Sequence, residues 1–285
     1  MYKVTIDGIA VSAPKGSTIL DAAQLAGVDI PTLCFMKKIN EIGSCRVCVV
    51  EVEGQEALAA ACNTPVFDGM VVRTATPRVI AARRSNVETI LATHRSECTT
   101  CKRSGTCALQ SVANSLGVAD FDRDPEYAFE EWDESFPLQR DATKCIRCMR
   151  CVAECAKVQH CAVWETSGPA ANRGVRVAGG VGIANAACAL CGQCVTHCPT
   201  GALTARDDTS KVLDALADPQ VITVVQVAPA IRSAWGEGVG LSRDEATQGC
   251  MASALRALGF DYVYDTDFAA DLTIMEEANE FIEWI

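Results

Sequence analysis

The sequence predicts a modular α+β chain that ends in a partial α/β unit with a parallel sheet. Three observations predict it. The chain has 285 residues, 49% of them hydrophobic, which is more than one ordinary domain needs, so division into several units is expected. Of its seventeen cysteines, all but Cys161 and Cys250 fall into four spaced groups, as small modules organised around bound metal would have. Hairpin-like alternation near the start gives way to a strand, helix, strand pattern near the end.

Composition narrows the function. A secreted disulfide scaffold is excluded by the length, by the lack of a basic start followed by an apolar core, and by spacings that repeat as C-x2-C; the thiols are expected to be reduced. The most apolar stretch, Val221 to Ile231, is short and contains Gln226 and Pro229, so no membrane span is expected and the chain should be soluble and cytoplasmic. A net charge of -11 argues against nucleic acid and anionic membrane surfaces, which demand a clustered basic face.

Tyr2 to Ile6 and Ile9 to Ala13 flank Asp7-Gly8, a hairpin signal. Ser17 is expected to cap a short helix running through Ile19, Leu20, Ala23 and Ala26 to Gly27. Beyond it lie Cys34, Cys45, Cys48 and Cys62, with the β-branched run Val47 to Val52 read as a strand. Four thiolates from two loops can surround a flat two-iron rhomb, and Gly43 and Ser44 leave room for backbone amides to reach its sulfides. A structural zinc site is the bland alternative.

Val87, Ile90, Leu91 and His94 keep helical spacing, which places His94 on an inward face near a helix end, followed by Cys98, Cys101 and Cys107. On spacing alone this H-x3-C-x2-C-x5-C signature leaves zinc and iron–sulfur ligation equally open, and a lone histidine on an apolar face is more often packed core.

The strongest signal is the pair of runs Cys145, Cys148, Cys151, Cys155 and Cys188, Cys191, Cys194, Cys198. Both match the bacterial ferredoxin pattern C-x2-C-x2-C-x3-C, in which the fourth cysteine of each run ligates the other cluster. One 4Fe-4S cluster is therefore expected on Cys145, Cys148, Cys151 and Cys198, the other on Cys188, Cys191, Cys194 and Cys155. Pro199 follows Cys198, but Ala156 stands after Cys155, and a Gly-rich insertion separates the runs. Cys161, Cys250 and His160 are read as bystanders. Between the His segment and the first run, Asp120 to Pro137 carries eight acidic residues against Arg123, interleaved with Phe121, Tyr127, Phe129, Trp132 and Phe136. It is read as a solvated connector with aromatic anchors, docking of an electron carrier being the alternative.

Near the end, Val221 to Val227 has the continuous apolar character of a strand in a buried parallel sheet. A helix through Ala252, Leu255 and Leu258, closed by Gly259, precedes a second strand over Tyr262 to Tyr264. Two strands with their helices cannot cover both faces of a sheet, and a terminal helix, Phe281 to Ile285, leaves large apolar groups without evident cover. The last 75 residues, 211–285, are expected to need a partner or a continuation.

Taken in order, these modules resemble the iron-only hydrogenases. The C-x10-C-x2-C-x13-C spacing of Cys34 to Cys62 resembles the N-terminal 2Fe-2S module of that family and of the large iron–sulfur subunit of NADH dehydrogenase. The His94 segment resembles the histidine-ligated 4Fe-4S site of the same two families. From Gln226-Val227-Ala228-Pro229-Ala230 through Ala254-Leu255-Arg256-Ala257-Leu258-Gly259-Phe260-Asp261 to Ala270-Asp271-Leu272-Thr273-Ile274-Met275-Glu276-Glu277, the chain resembles the opening of the hydrogenase catalytic domain, which separates it from NADH dehydrogenase.

The resemblance implies a β-grasp 2Fe-2S ferredoxin domain over 1–78, a small helical His/Cys3 4Fe-4S domain with acidic linker over 79–137, a two-4Fe-4S ferredoxin-like domain over 138–210 and the start of the hydrogenase catalytic domain over 211–285. It implies one 2Fe-2S and three 4Fe-4S clusters. The active-site H-cluster is not expected here, because its Thr-Ser-Cys-Cys-Pro-like motif does not occur before Ile285. The chain would relay single electrons, with ferredoxin or a flavin-containing NADH-oxidising subunit as partner and a polypeptide supplying the remaining hydrogenase domain. Residues 1–285 alone would show no hydrogen chemistry. An iron–sulfur subunit of an NADH or formate dehydrogenase complex and a non-enzymatic redox sensor are the alternatives. Arg78, Arg83, Arg84 and Arg95 are candidates for a basic patch that would receive an acidic ferredoxin.

Overall fold

The computed structural model describes residues 1–118, 131–168 and 174–285. Phe121, Arg123, Tyr127 and Phe129 of the acidic connector lie outside these residues, as does part of the Gly-rich insertion. The chain divides into two compact units, Met1–Arg206 and Asp207–Ile285.

The first unit opens with β1 (Tyr2–Ile6) and β2 (Ile9–Ala13), paired antiparallel with Ile6 opposite Ile9. Asp7 and Gly8 both hold positive φ, 47° and 86°, the backbone of a tight hairpin turn whose twist matches its strands. Helix α1 (Ile19–Leu25) follows. Its cap is Thr18 and not Ser17: Thr18 accepts from the Asp21 amide while Asp21 reaches back to the Thr18 amide. That reciprocal pair satisfies two otherwise orphaned donors, which Ser17, one residue too early, cannot do. Strands β3 (Val49–Val52), β4 (Ala59–Ala60) and β5 (Met70–Arg73) complete a five-stranded mixed sheet in the order β2-β1-β5-β3-β4, with β1 and β5 parallel. Strand β3 starts at Val49 because the chain is still turning through Cys48. Ile6, Ile19, Val50, Val52 and Val72 fill the core between sheet and α1.

Helix α2 (Pro77–Leu91) is capped by Thr76 with Pro77 in its first turn, and α3 (Ala108–Ser115) follows a single 3-10 turn at Cys98–Thr100. The remainder of the unit has two short antiparallel pairs, β6 (Leu138–Arg140) with β9 (Leu203–Ala205) and β7 (Trp164–Ser167) with β8 (Gly174–Val177). Helices α4 (Arg150–Lys157) and α5 (Gln193–His197) pack on each other, α4 beside β7 and α5 beside β9.

The second unit contains α6 (Thr209–Ala217), β10 (Val224–Val227), α7 (Pro229–Gly238), α8 (Gln248–Ala257), β11 (Tyr262–Asp265) and α9 (Thr266–Trp284). β10 and β11 are parallel, Val224 opposite Tyr262, and Asp261 accepts from both the amide and the hydroxyl of Thr223 at the sheet's entrance. The strand is shorter than the apolar run 221–227, and Val224 is exposed rather than buried, because two strands make too narrow a sheet to cover it. Among the described residues no helix is long and apolar enough to cross a membrane.

Candidate metal centres

Cys34, Cys45, Cys48 and Cys62 are all buried, Cys48 and Cys62 in the core of the five-stranded sheet and Cys34 and Cys45 in the adjoining apolar cluster. The loop that carries Cys45 needs unusual backbone: Gly43 has φ +62°, and a Cβ there would lie 2.7 Å from the Asn63 side chain, while Arg46 itself holds φ 55°. The four thiols influence one another chiefly in two pairs. Cys34 lowers the Cys45 thiol to about 6 and Cys62 lowers the Cys48 thiol to about 7, while Cys34 and Cys62 are themselves pushed up by those partners.

Helix α2 holds this loop in place. Arg83 donates to the Val49 carbonyl from Nε at 3.2 Å and Nη2 at 2.9 Å, and Asn86 donates to the Arg46 carbonyl at 2.7 Å. Arg83 is only 6% exposed, so it cannot serve in the surface basic patch expected from the sequence. Burial lowers its pKa and the nearby Cys48 opposes that shift, which marks a buried cation beside an anionic sulfur. The signal was available in sequence: Val79, Arg83 and Val87 lie four apart, and both valines are fully buried. Two other members of that patch are already paired, Arg78 with Glu51 and Arg95 with Glu97.

His94 sits just past α2, buried, with its Nδ1 lacking any hydrogen-bond partner. Burial lowers the imidazole pKa, with Lys144 and Asp141 its charged neighbours, so the ring is held neutral, the form that can ligate. Cys98, Cys101 and Cys107 lie half-buried nearby in sequence, and burial followed by the charges of Cys107 and Cys101 raises the Cys98 pKa, so Cys98 lies within electrostatic reach of both. This segment is stitched to the cysteine runs. The Ala108 amide donates to the Pro199 carbonyl at 3.0 Å, Arg103 to the Cys198 carbonyl at 3.3 Å, and the Arg95 amide to the Thr143 carbonyl at 3.0 Å. At Gly201 a Cβ would stand 2.9 Å from the Cys101 sulfur, so only glycine permits the approach.

The two cysteine runs adopt the same backbone. Positive φ falls two and four residues after the first cysteine in each, at Arg147 and Met149 and at Leu190 and Gly192, and a helix starts on the next residue. Helix α4 continues through Ala156 to Lys157, whereas α5 stops at His197. Proline in a helix interior would remove a hydrogen bond and clash, so the helix disfavours proline at position 156, where Ala156 stands, while Pro199 lies beyond the end of α5 and is tolerated after Cys198.

Two cavities lie between the runs. One, of about 200 Å³, is lined by Cys188, Cys191, Cys194 and Cys155, together with Cys161. A smaller one is lined by Cys145, Cys148, Cys151 and Cys198. Trp164 lines both, stacked on Trp132 at 6.0 Å with the Arg140 guanidinium over the two rings; its position was not foreseen from sequence, because nothing local marks it. Burial pushes the Cys148 thiol up to about 12 and Cys194 up to about 11. Such thiols become thiolates only when a bound cationic group compensates.

The donor set, thiolate with one imidazole, suits zinc or iron–sulfur clusters. Among the described residues no three Cys, His, Asp or Glu side chains could hold a metal ion at one point. In the tandem runs, sulfurs arrayed around cavities fit a cluster, whose several irons spread the ligands apart, better than a single zinc with bonds of about 2.3 Å.

The chain's relatives agree in part with each segment. Residues 1–77 match the 2Fe-2S iron–sulfur cluster binding domain, 83–121 the NADH-ubiquinone oxidoreductase-G iron–sulfur binding region, 182–204 the 4Fe-4S binding domain and 221–285 the C-terminal domain of the iron only hydrogenase large subunit. The NADP-reducing hydrogenase subunit HndD of Solidesulfovibrio fructosivorans is 47% identical over 99% of this chain and 49% of its own length. Iron hydrogenase 1 of Clostridium pasteurianum is 33% identical over 100% of this chain and 50% of its own. The G 2 subunit of the NADH-quinone oxidoreductase of Rhizobium meliloti is 38% identical, but over 71% of this chain and 24% of its own. The chain thus spans about half the length of the two hydrogenases and less of the oxidoreductase. A crystal structure of an NAD+-reducing NiFe hydrogenase in the H2-reduced state superposes with a TM-score of 0.66 at 29% identity, covering 72% of this chain and 87% of that one. Matches to the two hydrogenases run the full chain where the oxidoreductase match does not, so the chain's iron–sulfur domains are related to those of the iron-only hydrogenases, and residues 221–285 match the C-terminal domain of that family's large subunit.

Proposed function

We propose that this chain is the iron–sulfur electron relay of an iron-only hydrogenase, passing single electrons between a soluble donor and a hydrogen-converting site outside residues 1–285. Ferredoxin or a flavin-containing NADH-oxidising subunit is the proposed donor. The observation that carries this reading is the crossed lining of the two cavities, each with three cysteines of one run and the fourth of the other.

Bound clusters would supply one-electron chemistry at low potential, on the order of -400 mV for a plant-type 2Fe-2S centre. The protein's part is to hold, space and shield. Cys34 with Cys45 and Cys48 with Cys62 would each hold one iron of the 2Fe-2S group, a division suggested by the two sulfur pairs. The five-stranded sheet with α1 supports a β-grasp ferredoxin domain over 1–78. His94, Cys98, Cys101 and Cys107 would hold a 4Fe-4S group within a domain over 79–137, supported by the unpartnered His94 Nδ1. Cys145, Cys148, Cys151 and Cys198 would hold the second and Cys188, Cys191, Cys194 and Cys155 the third, within 138–210. Residues 211–285 would begin the catalytic domain. Arg83 would favour the thiolate form of Cys48, and Trp164 with Arg140 would close both cavities to water.

An iron–sulfur subunit of an NADH-oxidising complex is the second reading, favoured by the 38% identity to the Rhizobium meliloti oxidoreductase over 71% of this chain. Anaerobic protein from the native host separates the two. Hydrogen evolution from reduced viologen that copurifies with this chain supports the hydrogenase; copurifying quinone-linked NADH oxidation without hydrogen chemistry supports the alternative. Zinc in place of iron would overturn both.

A further inference from the structure

We propose that Asn40 is the positioning residue that fixes the Cys34–Cys62 site against the Cys145–Cys198 site. Its side chain is 2% exposed, and the one amide nitrogen donates to the Cys34 carbonyl at 2.8 Å and to the Cys148 carbonyl at 2.9 Å. The second of these bonds spans 108 residues of chain, and the two carbonyls belong to cysteines of two different sites. No other side-chain hydrogen bond among those described joins the backbones of cysteines from two groups at once.

The loop is built to present this amide. Met36 and Asn40 pair across a five-residue hairpin, amide to carbonyl at 2.9 and 2.8 Å, with Lys38 at φ 64° in its turn. Lys157, at the end of α4, donates to the neighbouring Ile39 carbonyl at 2.7 Å, so the same loop is also tied to the helix that carries Cys151 and Cys155. Apolar packing continues the contact: Cys34, Cys45 and Cys148 share one buried cluster with Leu33, Val47 and Leu109. An amide donating both its hydrogens to buried carbonyls resists sliding and rotation, because any displacement leaves a buried acceptor unsatisfied. Asn40 therefore sets the distance and orientation across which two redox groups at these sites would communicate.

The inference rests on the ligand assignment above, and the test keeps the two apart. Wild-type holoprotein, reduced stepwise under anaerobic conditions, is examined by electron paramagnetic resonance for relaxation enhancement of the 2Fe-2S signal as the neighbouring 4Fe-4S group becomes paramagnetic. Absence of either signal in wild type contradicts the ligand assignment, not the role of Asn40. In Asn40→Leu, which keeps bulk but removes both donors, the iron content should match wild type while the enhancement is lost; Asn40→Ser, which retains one donor on a shorter arm, should give an intermediate value. Undiminished enhancement in an iron-replete variant overturns the proposal. If Asn40→Leu loses iron, Asn40→Ser decides: full iron with weakened enhancement supports positioning, and loss of iron there too overturns it, making Asn40 a purely structural residue.

Discussion

Residues 207–285 are richer in regular helix and strand than residues 1–206, yet bury far less. In the first unit three apolar clusters surround the cysteine loops, and Ile6, Leu33, Val47 and Val87 are almost wholly enclosed. In the second, among the described residues, Val227 and Met251 are the buried apolar side chains, while Phe268, Met275, Phe281 and Trp284 of α9 are exposed. Regular helices and strands do not by themselves make a core. Conversely the cysteine loops have little regular structure, yet are fixed because backbone carbonyls in and beside them accept from Arg83, Asn86 and Arg103 over packed valines and leucines.

The largest expected effect breaks this comparison at its chemistry. Cys198→Ser should remove one four-iron group, roughly four of about fourteen irons expected for one two-iron and three four-iron centres, whereas Cys250→Ser in the second unit should change nothing. Iron analysis with spectroscopy reads both; equal losses would erase the distinction. Next in size, isolated residues 211–285 should lack a cooperative unfolding transition and be rapidly proteolysed, since so little apolar surface is buried. A sharp, protease-resistant transition would show that this unit is self-sufficient.

Gly201→Ala should cost about 1–3 kcal/mol through the 2.9 Å approach to the Cys101 sulfur, with the signal of the His94 site perturbed before the others. Denaturation of the holoprotein checks the first and spectroscopy the second. The smallest effect belongs to Asp261. The amide and hydroxyl of Thr223 lower its carboxyl pKa, so the folded value lies below the unfolded one of about 3.9. Its contribution is present above the unfolded value and lost as pH falls through the folded value. Thr223→Ala should flatten that part of the acid limb, and an unchanged limb would dismiss the clamp.

Much of the first unit was legible because its determinants are local. The Asp7-Gly8 turn, the helix through Ile19 and Leu20, and the doubled cysteine spacing each depend on neighbours within a few residues. The strand pair near the end was legible for the same reason, as was its parallel sense, but its exposure was not, because burial depends on how many strands join a sheet. Arg83 was misplaced on the surface because a basic residue reads as solvated unless its helical stripe is weighed against its charge. Asn40 and Trp164 were invisible for a different reason: each acts on residues far away in the chain, and neither sits in a recognisable spacing. Thr18, one residue from the expected cap, was resolved only by the reciprocal bond to Asp21.

The central claim, that the first unit holds clusters and not single ions, is tested most directly by Mössbauer spectroscopy with metal analysis on anaerobically prepared iron-57 protein. The account predicts one two-iron and three four-iron spectral components in every chain, with zinc absent. Zinc bound at any of the four cysteine groups, or iron in only the tandem runs, would contradict it.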